Sequence, residues 1–125
     1  MDGTLADTNY SKVFSHKQLV AMYRDAPVLY KPQSPFIAIT ARGTDADVKN
    51  ATRAWLKDNQ PNCKGVYFVS GGEDAIVAKK TAIMKRLNVT DWTDNNASIL
   101  GKIKKLDLGI KLWKFNTSKK ERVAY

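Results

Sequence analysis

The chain has 125 residues, a formal net charge of +9, 43% hydrophobic and 26% charged residues, and one cysteine. That length suits one domain with a single core, and no apolar run approaches the roughly 18 residues of a membrane span. Cys63 has no intramolecular disulfide partner, and no basic-then-apolar leader opens the chain, so the composition points to a reducing, cytoplasmic setting.

The N-terminal stretch Met1-Asp2-Gly3-Thr4-Leu5-Ala6-Asp7 reads as the tail of a catalytic loop. An acid followed by Gly-Thr aims a carboxylate from a turn, and the glycine lets backbone approach a ligand. Residues 8–34 are weakly patterned. Lys17–Arg24 has helical character with Leu19, Val20 and Tyr23 on one side, and Pro27, Pro32 and Pro35 then interrupt regular structure. His16, alone in a polar segment, reads as a surface residue.

Phe36–Ile39, ending at Thr40, has the apolar run of a buried parallel strand. Ala41, Arg42 and Gly43 turn the chain out of it. Thr44 is the expected N-cap of a helix with Asp45 and Asp47 in its first turn. That helix should bury Val48, Ala51, Trp55 and Leu56 and expose Lys49, Arg53 and Lys57. Cys63 then falls in a loop. Gly65–Ser70 reads as a second buried strand, and Ser70-Gly71-Gly72 as a turn lacking the spacing of a phosphate-binding glycine loop.

A helix from about Glu73 to Leu87 carries the stripe Ile76, Ile83, Met84 and Leu87, with Lys80 in its middle and Lys79 at its edge. A lysine there is either a snorkelling stem or an ammonium aimed at a carboxylate and a phosphate. Val89–Trp92 reads as a short strand leading to Asp94, Asn95 and Asn96. The next helix, about Ala97 to Asp107, should bury Ile99, Leu100, Ile103 and Leu106 and close at Gly109. Ile110–Phe115 reads as a last strand, and residues 116–125 as a basic tail. Between Lys102 and Arg122, eight basic residues face only Asp107 and Glu121, a stretch that could meet a polyanion or form a solvated face. Strands alternate with helices, and polar candidates gather at strand C-termini. The expected architecture is α/β, a Rossmann-like three-layer, doubly wound and mostly parallel sheet.

Asp2-Gly3-Thr4, Thr40, Lys80 and Asp94-Asn95, in that order and context, resemble the motif set of the haloacid dehalogenase superfamily of phosphohydrolases; Leu5-Ala6-Asp7 resembles nucleotidase-like members. The resemblance covers most of the chain. It implies one domain over 1–125, with 8–35 as a minimal cap-like flap. It implies Asp2 as general acid and then base, Thr40 as a hydroxyl donor to phosphoryl oxygens and Lys80 as the neutralising ammonium. It also implies phosphate-contacting roles for Gly3, Thr4, Ala41 and Arg42, and Mg2+ held by Asp94 with Asn95.

The family motif is Asp-x-Asp-Gly-Thr, so with Met1 as the middle residue the nucleophilic Asp and its strand belong ahead of Met1. A shortened sequence, a naturally inactive member, or a strand supplied by another chain would each account for this. The implied function is a magnesium-dependent phosphatase for a phosphate monoester, such as a nucleotide or a nucleic-acid end, impaired without the upstream Asp. The alternative is a non-catalytic protein on the same scaffold that binds nucleic acid or an acidic protein through its basic surface. A homo-oligomer covering the missing strand is a further expectation. A flavodoxin-like or receiver-type domain shares the alternation but leaves Asp2-Gly3-Thr4 unexplained.

Overall fold

A computed structural model describes all 125 residues. The chain is α/β, with four α-helices and small, mostly parallel sheets, in two compact units, Met1–Ser70 and Gly71–Tyr125. No helix is long and apolar enough to cross a membrane.

The first unit begins with a tight loop. Gly3 takes φ +76°, a left-handed conformation that suits glycine, and the Thr4, Leu5 and Ala6 amides all donate to Met1 O at 3.1, 2.8 and 3.2 Å. Asp7 N donates to Pro27 O and Leu29 N to Leu5 O, which ties this loop to the proline-interrupted return. A 3-10 turn over Tyr10–Lys12 precedes α1, His16–Asp25. Ser15 caps α1 by accepting from Gln18 N, and the Gln18 side chain accepts from Phe14 N.

Strand β1 (Phe36–Thr40) and strand β2 (Cys63–Phe68) pair in parallel, with Ile37 opposite Gly65 and Thr40 opposite Phe68. Helix α2 (Ala46–Asn59) connects them and buries Val48, Ala51, Thr52, Trp55 and Leu56, the face the apolar spacing indicates. Its N-cap is Asp45 rather than Thr44, because the Asp45 carboxylate reaches Val48 N at 3.1 Å. Trp55 packs with Leu5, Ala6, Ala26, Ala38 and Leu56, and its Nε1 donates to Ala26 O at 2.7 Å. Strand β2 starts two residues earlier than the apolar run suggests and is only partly buried, so Cys63 is its first residue rather than a loop residue.

In the second unit, α3 (Glu73–Arg86), β3 (Asp91–Asp94), α4 (Ala97–Lys105), β4 (Lys111–Asn116) and β5 (Glu121–Ala124) follow in order. Strand β3 pairs in parallel with β4, and β4 in antiparallel with β5, so the residues read as a basic tail turn back and pair as the second strand of a hairpin. Helix α3 buries Val77, Lys80, Thr81 and Met84; the face is rotated from the expected one, and Leu87 is exposed. Val89 is not in a strand: its amide donates to Met84 O and closes the end of α3. Helix α4 is capped by Asn96, whose Oδ1 accepts from Ser98 N and Ile99 N, and it buries Leu100 and Ile103. Leu106 is half-exposed, and the left-handed residue that first follows α4 is Asp107 at φ +50°, before Gly109. Glu73 and Asp74 at the start of α3 both pair with Lys102 of α4, at 2.6 and 2.7 Å. These contacts hold both carboxyls below, and the Lys102 ammonium above, their ordinary ranges.

Strands β1, β2, β3 and β5 each have a strand neighbour on one side only.

Candidate active-site residues

The sequence-derived candidates assemble within each unit. In the first, Thr40 ends β1, and its Oγ1 accepts from Arg42 N at 3.3 Å, so the turn Ala41-Arg42 is fixed by the strand's last hydroxyl. Thr40 is buried among the residues of its unit. Arg42 then reaches back to the N-terminal loop. Its Nε donates to both oxygens of Asp2 at 3.1 and 3.2 Å, and its Nη2 makes a further short contact with Asp2 Oδ1. Its Nη1 donates to Thr52 Oγ1 at 3.1 Å, and its guanidinium lies 3.9 Å from the centroid of the Tyr23 ring. The Arg42 side chain is 1% exposed and that of Asp2 23%.

Tyr10 completes this cluster. Its hydroxyl donates to Asp2 Oδ2 at 2.6 Å and lies 2.9 Å from the Tyr23 hydroxyl. Burial pushes the Asp2 carboxyl up, but the hydrogen bonds and charge of Arg42, with the Tyr10 hydroxyl, outweigh it and hold the group below the usual carboxylate range. Burial first, then the hydrogen bonds to Asp2 and Tyr23, push the Tyr10 phenol up. Asp2 is therefore ionised in this arrangement. Gly3 and Thr4 stay in the loop behind it, Thr4 buried. Tyr10, Tyr23 and Thr52 were not among the sequence candidates. They lie on three different elements, and no spacing pattern links them.

In the second unit, Lys80 projects from the buried face of α3 and Asp94 ends β3. Lys80 Nζ lies 3.7 Å from Asp94 Oδ2, with side chains 7% and 11% exposed, and 5.4 Å from the centroid of the Trp92 ring. The Lys80 ammonium thus stays inside rather than snorkelling out. Asp94 Oδ2 also accepts from Trp92 Nε1 at 3.3 Å, and Oδ1 from Asn96 N at 3.0 Å. These contacts orient the carboxylate at the strand end. Asn95, beside it, is exposed. A carboxylate followed by a side-chain amide offers oxygen donors of the hard kind, and both Asp94 oxygens already accept hydrogen bonds.

One further cluster was not expected: His16, Asp45 and Asp47, all exposed, bring potential metal-ligating atoms within 4.8 Å of one another. His16 Nε2 is 3.6 Å from Asp45 Oδ1 and 3.3 Å from Asp47 Oδ2. These groups sit at the first turns of α1 and α2, where helix dipoles already favour the carboxylates and disfavour a cation.

Comparison with protein-family models, with curated proteins and with solved structures gives no match.

Proposed function

We propose that this chain carries the phosphoryl-transfer scaffold of a haloacid dehalogenase-like phosphatase acting on a phosphate monoester, with a nucleotide or a nucleic-acid end as the substrate class. The observation that carries the reading is the buried Lys80–Asp94 pair, which holds an ammonium beside a carboxylate at the end of a parallel strand. A charge pair buried for stability alone gains little over an apolar one. An ammonium and a carboxylate held at a strand's carboxyl end match what a phosphate and its counter-ion require.

On this reading, a carboxylate supplied at the position of the motif's first Asp would attack phosphorus, its new O–P bond forming as the ester O–P bond breaks. Asp2, once its carboxyl has taken up a proton in the substrate complex, gives it to the leaving oxygen, then takes one from the water that cleaves the acyl phosphate. The Thr40 hydroxyl donates to a phosphoryl oxygen, and Lys80 neutralises charge on the phosphoryl group. Magnesium, held by Asp94 with Asn95, would supply electrostatic stabilisation of the phosphoryl oxygens. The same reading makes residues 1–125 one domain. It makes both parallel pairs parts of one doubly wound, three-layer sheet, with residues 8–35 as its small flap. The two parallel pairs, β1 with β2 and β3 with β4, are the pieces from which such a sheet would be built. A cytoplasmic location and self-association over an open strand edge belong to the same proposal.

The test is a version extended upstream so that an Asp on an apolar strand precedes Met1. It should hydrolyse 4-nitrophenyl phosphate with magnesium, and its Asp-to-Asn form should not. Turnover at background in the extended protein would refute the phosphatase reading.

A second reading rests on the β4–β5 arm. Lys111, Lys114, Lys119, Lys120 and Arg122 are all exposed there, and Lys111 and Arg122 lie 4.3 and 4.5 Å from the centroid of the Trp113 ring. A basic arm of this kind suits phosphate neutralisation of a nucleic acid. Two cations already on the Trp113 ring leave little of it for base stacking. Binding to a DNA or RNA oligonucleotide that is unchanged between low and high salt would exclude this reading.

A further inference from the structure

The groups that bear on the Asp2 carboxylate differ in what they do to its proton. Arg42 and the charged N-terminus are cationic and keep the proton off. Tyr10 is neutral. Its hydroxyl donates to Oδ2 at 2.6 Å, whereas Arg42 Nη2 sits on Oδ1 and Arg42 Nε is shared between the two oxygens. The direction of the Tyr10–Tyr23 contact follows from this. Tyr10 has one hydroxyl proton and an ionised carboxylate can only accept, so that proton lies towards Asp2. The Tyr23 hydroxyl, 2.9 Å from that of Tyr10, is then the donor of the second bond. The chain runs from Tyr23 through Tyr10 to Asp2, and each bond polarises the next. Tyr23 anchors it: it lies on α1, it is buried, and its ring carries the Arg42 guanidinium. The two tyrosine rings meet edge to face, with centroids 6.1 Å apart.

An acid that later serves as a base has to be held in both protonation states. A guanidinium does not do this, because it favours the ionised form alone. A neutral hydroxyl does: it donates to a carboxylate oxygen, and also to the carbonyl oxygen of a protonated carboxyl. With Tyr10 on Oδ2, a proton taken up by Asp2 belongs on Oδ1, the oxygen that Arg42 Nη2 occupies at rest. The Tyr10 phenol stays out of the exchange, since burial and its hydrogen bonds keep it protonated.

We propose that Tyr10, polarised by Tyr23, is the positioning residue of Asp2: it holds Oδ2 through both steps and leaves Oδ1 to pass a proton to the leaving oxygen and to take one from water. The proposal rests on the phosphatase reading. Both tyrosines belong to residues 8–35, so the segment read as a flap holds the acid directly.

The test is Tyr10→Phe in the upstream-extended protein, with Tyr23→Phe beside it. Both variants keep their rings, including the one under Arg42, and lose one hydroxyl. Two esters are compared with magnesium present: 2-phenylethyl phosphate, whose leaving alkoxide needs a proton, and 4-nitrophenyl phosphate, whose phenolate leaves without one. Tyr10→Phe should lower kcat/KM about tenfold for the alkyl ester, the equivalent of one hydrogen bond, and only about twofold for the nitrophenyl ester. Tyr23→Phe should give the same order of losses with a fall of about threefold for the alkyl ester, and it decides alone should Tyr10→Phe not fold. In the chain as it stands, a carboxyl NMR titration should place Asp2 higher in Tyr10→Phe than in the native protein, because a donor to the ionised form is gone. Equal losses with the two esters would make the tyrosines structural and overturn the proposal, as would an unmoved Asp2 value. Either result leaves the phosphatase reading in place, because the parent still turns over. A parent that hydrolyses the nitrophenyl ester alone has no working acid, which also overturns the proposal. A parent at background with both esters removes the phosphatase reading, and the role of Tyr10 goes with it.

Discussion

Replacing Arg42 with methionine probes the centre of the first unit. The substitution keeps an unbranched side chain against Tyr23 but removes every donor from Asp2 except the Tyr10 hydroxyl. Breaking a fully buried pair costs about 3–5 kcal/mol. Asp2 keeps one hydrogen bond and has a side chain 23% exposed, which lowers the expected loss to about 2 kcal/mol. The pH dependence identifies the cause. In the native protein the Asp2 carboxyl lies below its ordinary value of 3.8. The unfolded chain therefore binds the proton first on acidification. The pair's contribution is fully present above about pH 4 and is lost as pH falls through the depressed folded value. In Arg42→Met burial, the largest single influence, is opposed only by the Tyr10 bond and the charge of the N-terminus, so the carboxyl should move upward. The difference in stability between the two proteins should be largest near neutrality and shrink towards pH 2. Urea unfolding followed by circular dichroism across that range gives the difference, and a carboxyl NMR titration gives the two Asp2 values. A loss of stability that is the same at pH 2.5 and pH 7, or an Asp2 value unmoved by the substitution, would refute the account.

Lys80→Met separates structure from chemistry in the second unit. Asp94 keeps Trp92 Nε1 and Asn96 N, and the pair is long at 3.7 Å, so stability should fall by only about 1 kcal/mol, while hydrolysis by the upstream-extended protein should drop about a hundredfold or more. Asn96→Ala removes the acceptor for two amides at the start of α4 and should cost about 1 kcal/mol in urea unfolding, with Asn96→Asp close to native. Chelation with EDTA should abolish hydrolysis by the extended protein, and magnesium should restore it; activity that survives chelation would remove Asp94 and Asn95 from the mechanism.

The elements that could be read from the sequence are those where local pattern and burial agree. Helix α2 is one: Val48, Ala51, Trp55 and Leu56 form an apolar stripe with charges opposite, and that stripe is the buried face. Helix α3 misleads because Ala75–Ala78 and Ala82–Ile83 spread apolar side chains around the cylinder, so periodicity cannot choose a face. The buried one contains Lys80 and Thr81, and Thr81 satisfies its hydroxyl on Val77 O at 2.8 Å. Val89 drew the strand β3 two residues early because an apolar β-branched residue reads as strand, whereas its amide is taken by Met84 O. Strand β5 gave no signal: the β4–β5 turn places Lys120 at φ +53° instead of a glycine, and the basic residues around it look like a solvated tail. Among the site residues, Asp2, Thr40, Lys80 and Asp94 could be picked out by type and order. The Asp2–Arg42–Tyr10–Tyr23 cluster depends on tertiary contacts across 40 residues, which one sequence does not encode locally.

That cluster bears on the proposed chemistry through Arg42. One guanidinium serves Asp2, Thr52 and the Tyr23 ring, and with its donors so engaged Asp2 holds no proton to give. A phosphate monoester that recruits Arg42 would change both facts together. The phosphoryl oxygens would compete for Nε and Nη2, leaving Asp2 with Tyr10. Burial and the added negative charge would then both push the carboxyl upward, towards the range in which an acid can protonate a leaving oxygen. Substrate binding and the arming of Asp2 become one event on this reading, and the clamp keeps the carboxylate oriented until then. The sign is testable on the chain as it stands: saturating inorganic phosphate or vanadate should raise the Asp2 value in a carboxyl NMR titration from below 3.8 to above it. Arg42→Met should start high and respond less. An Asp2 value that stays depressed at saturating anion would mean that Arg42 never leaves it, and Asp2 would then be a structural partner of Arg42 and not the acid of the reaction.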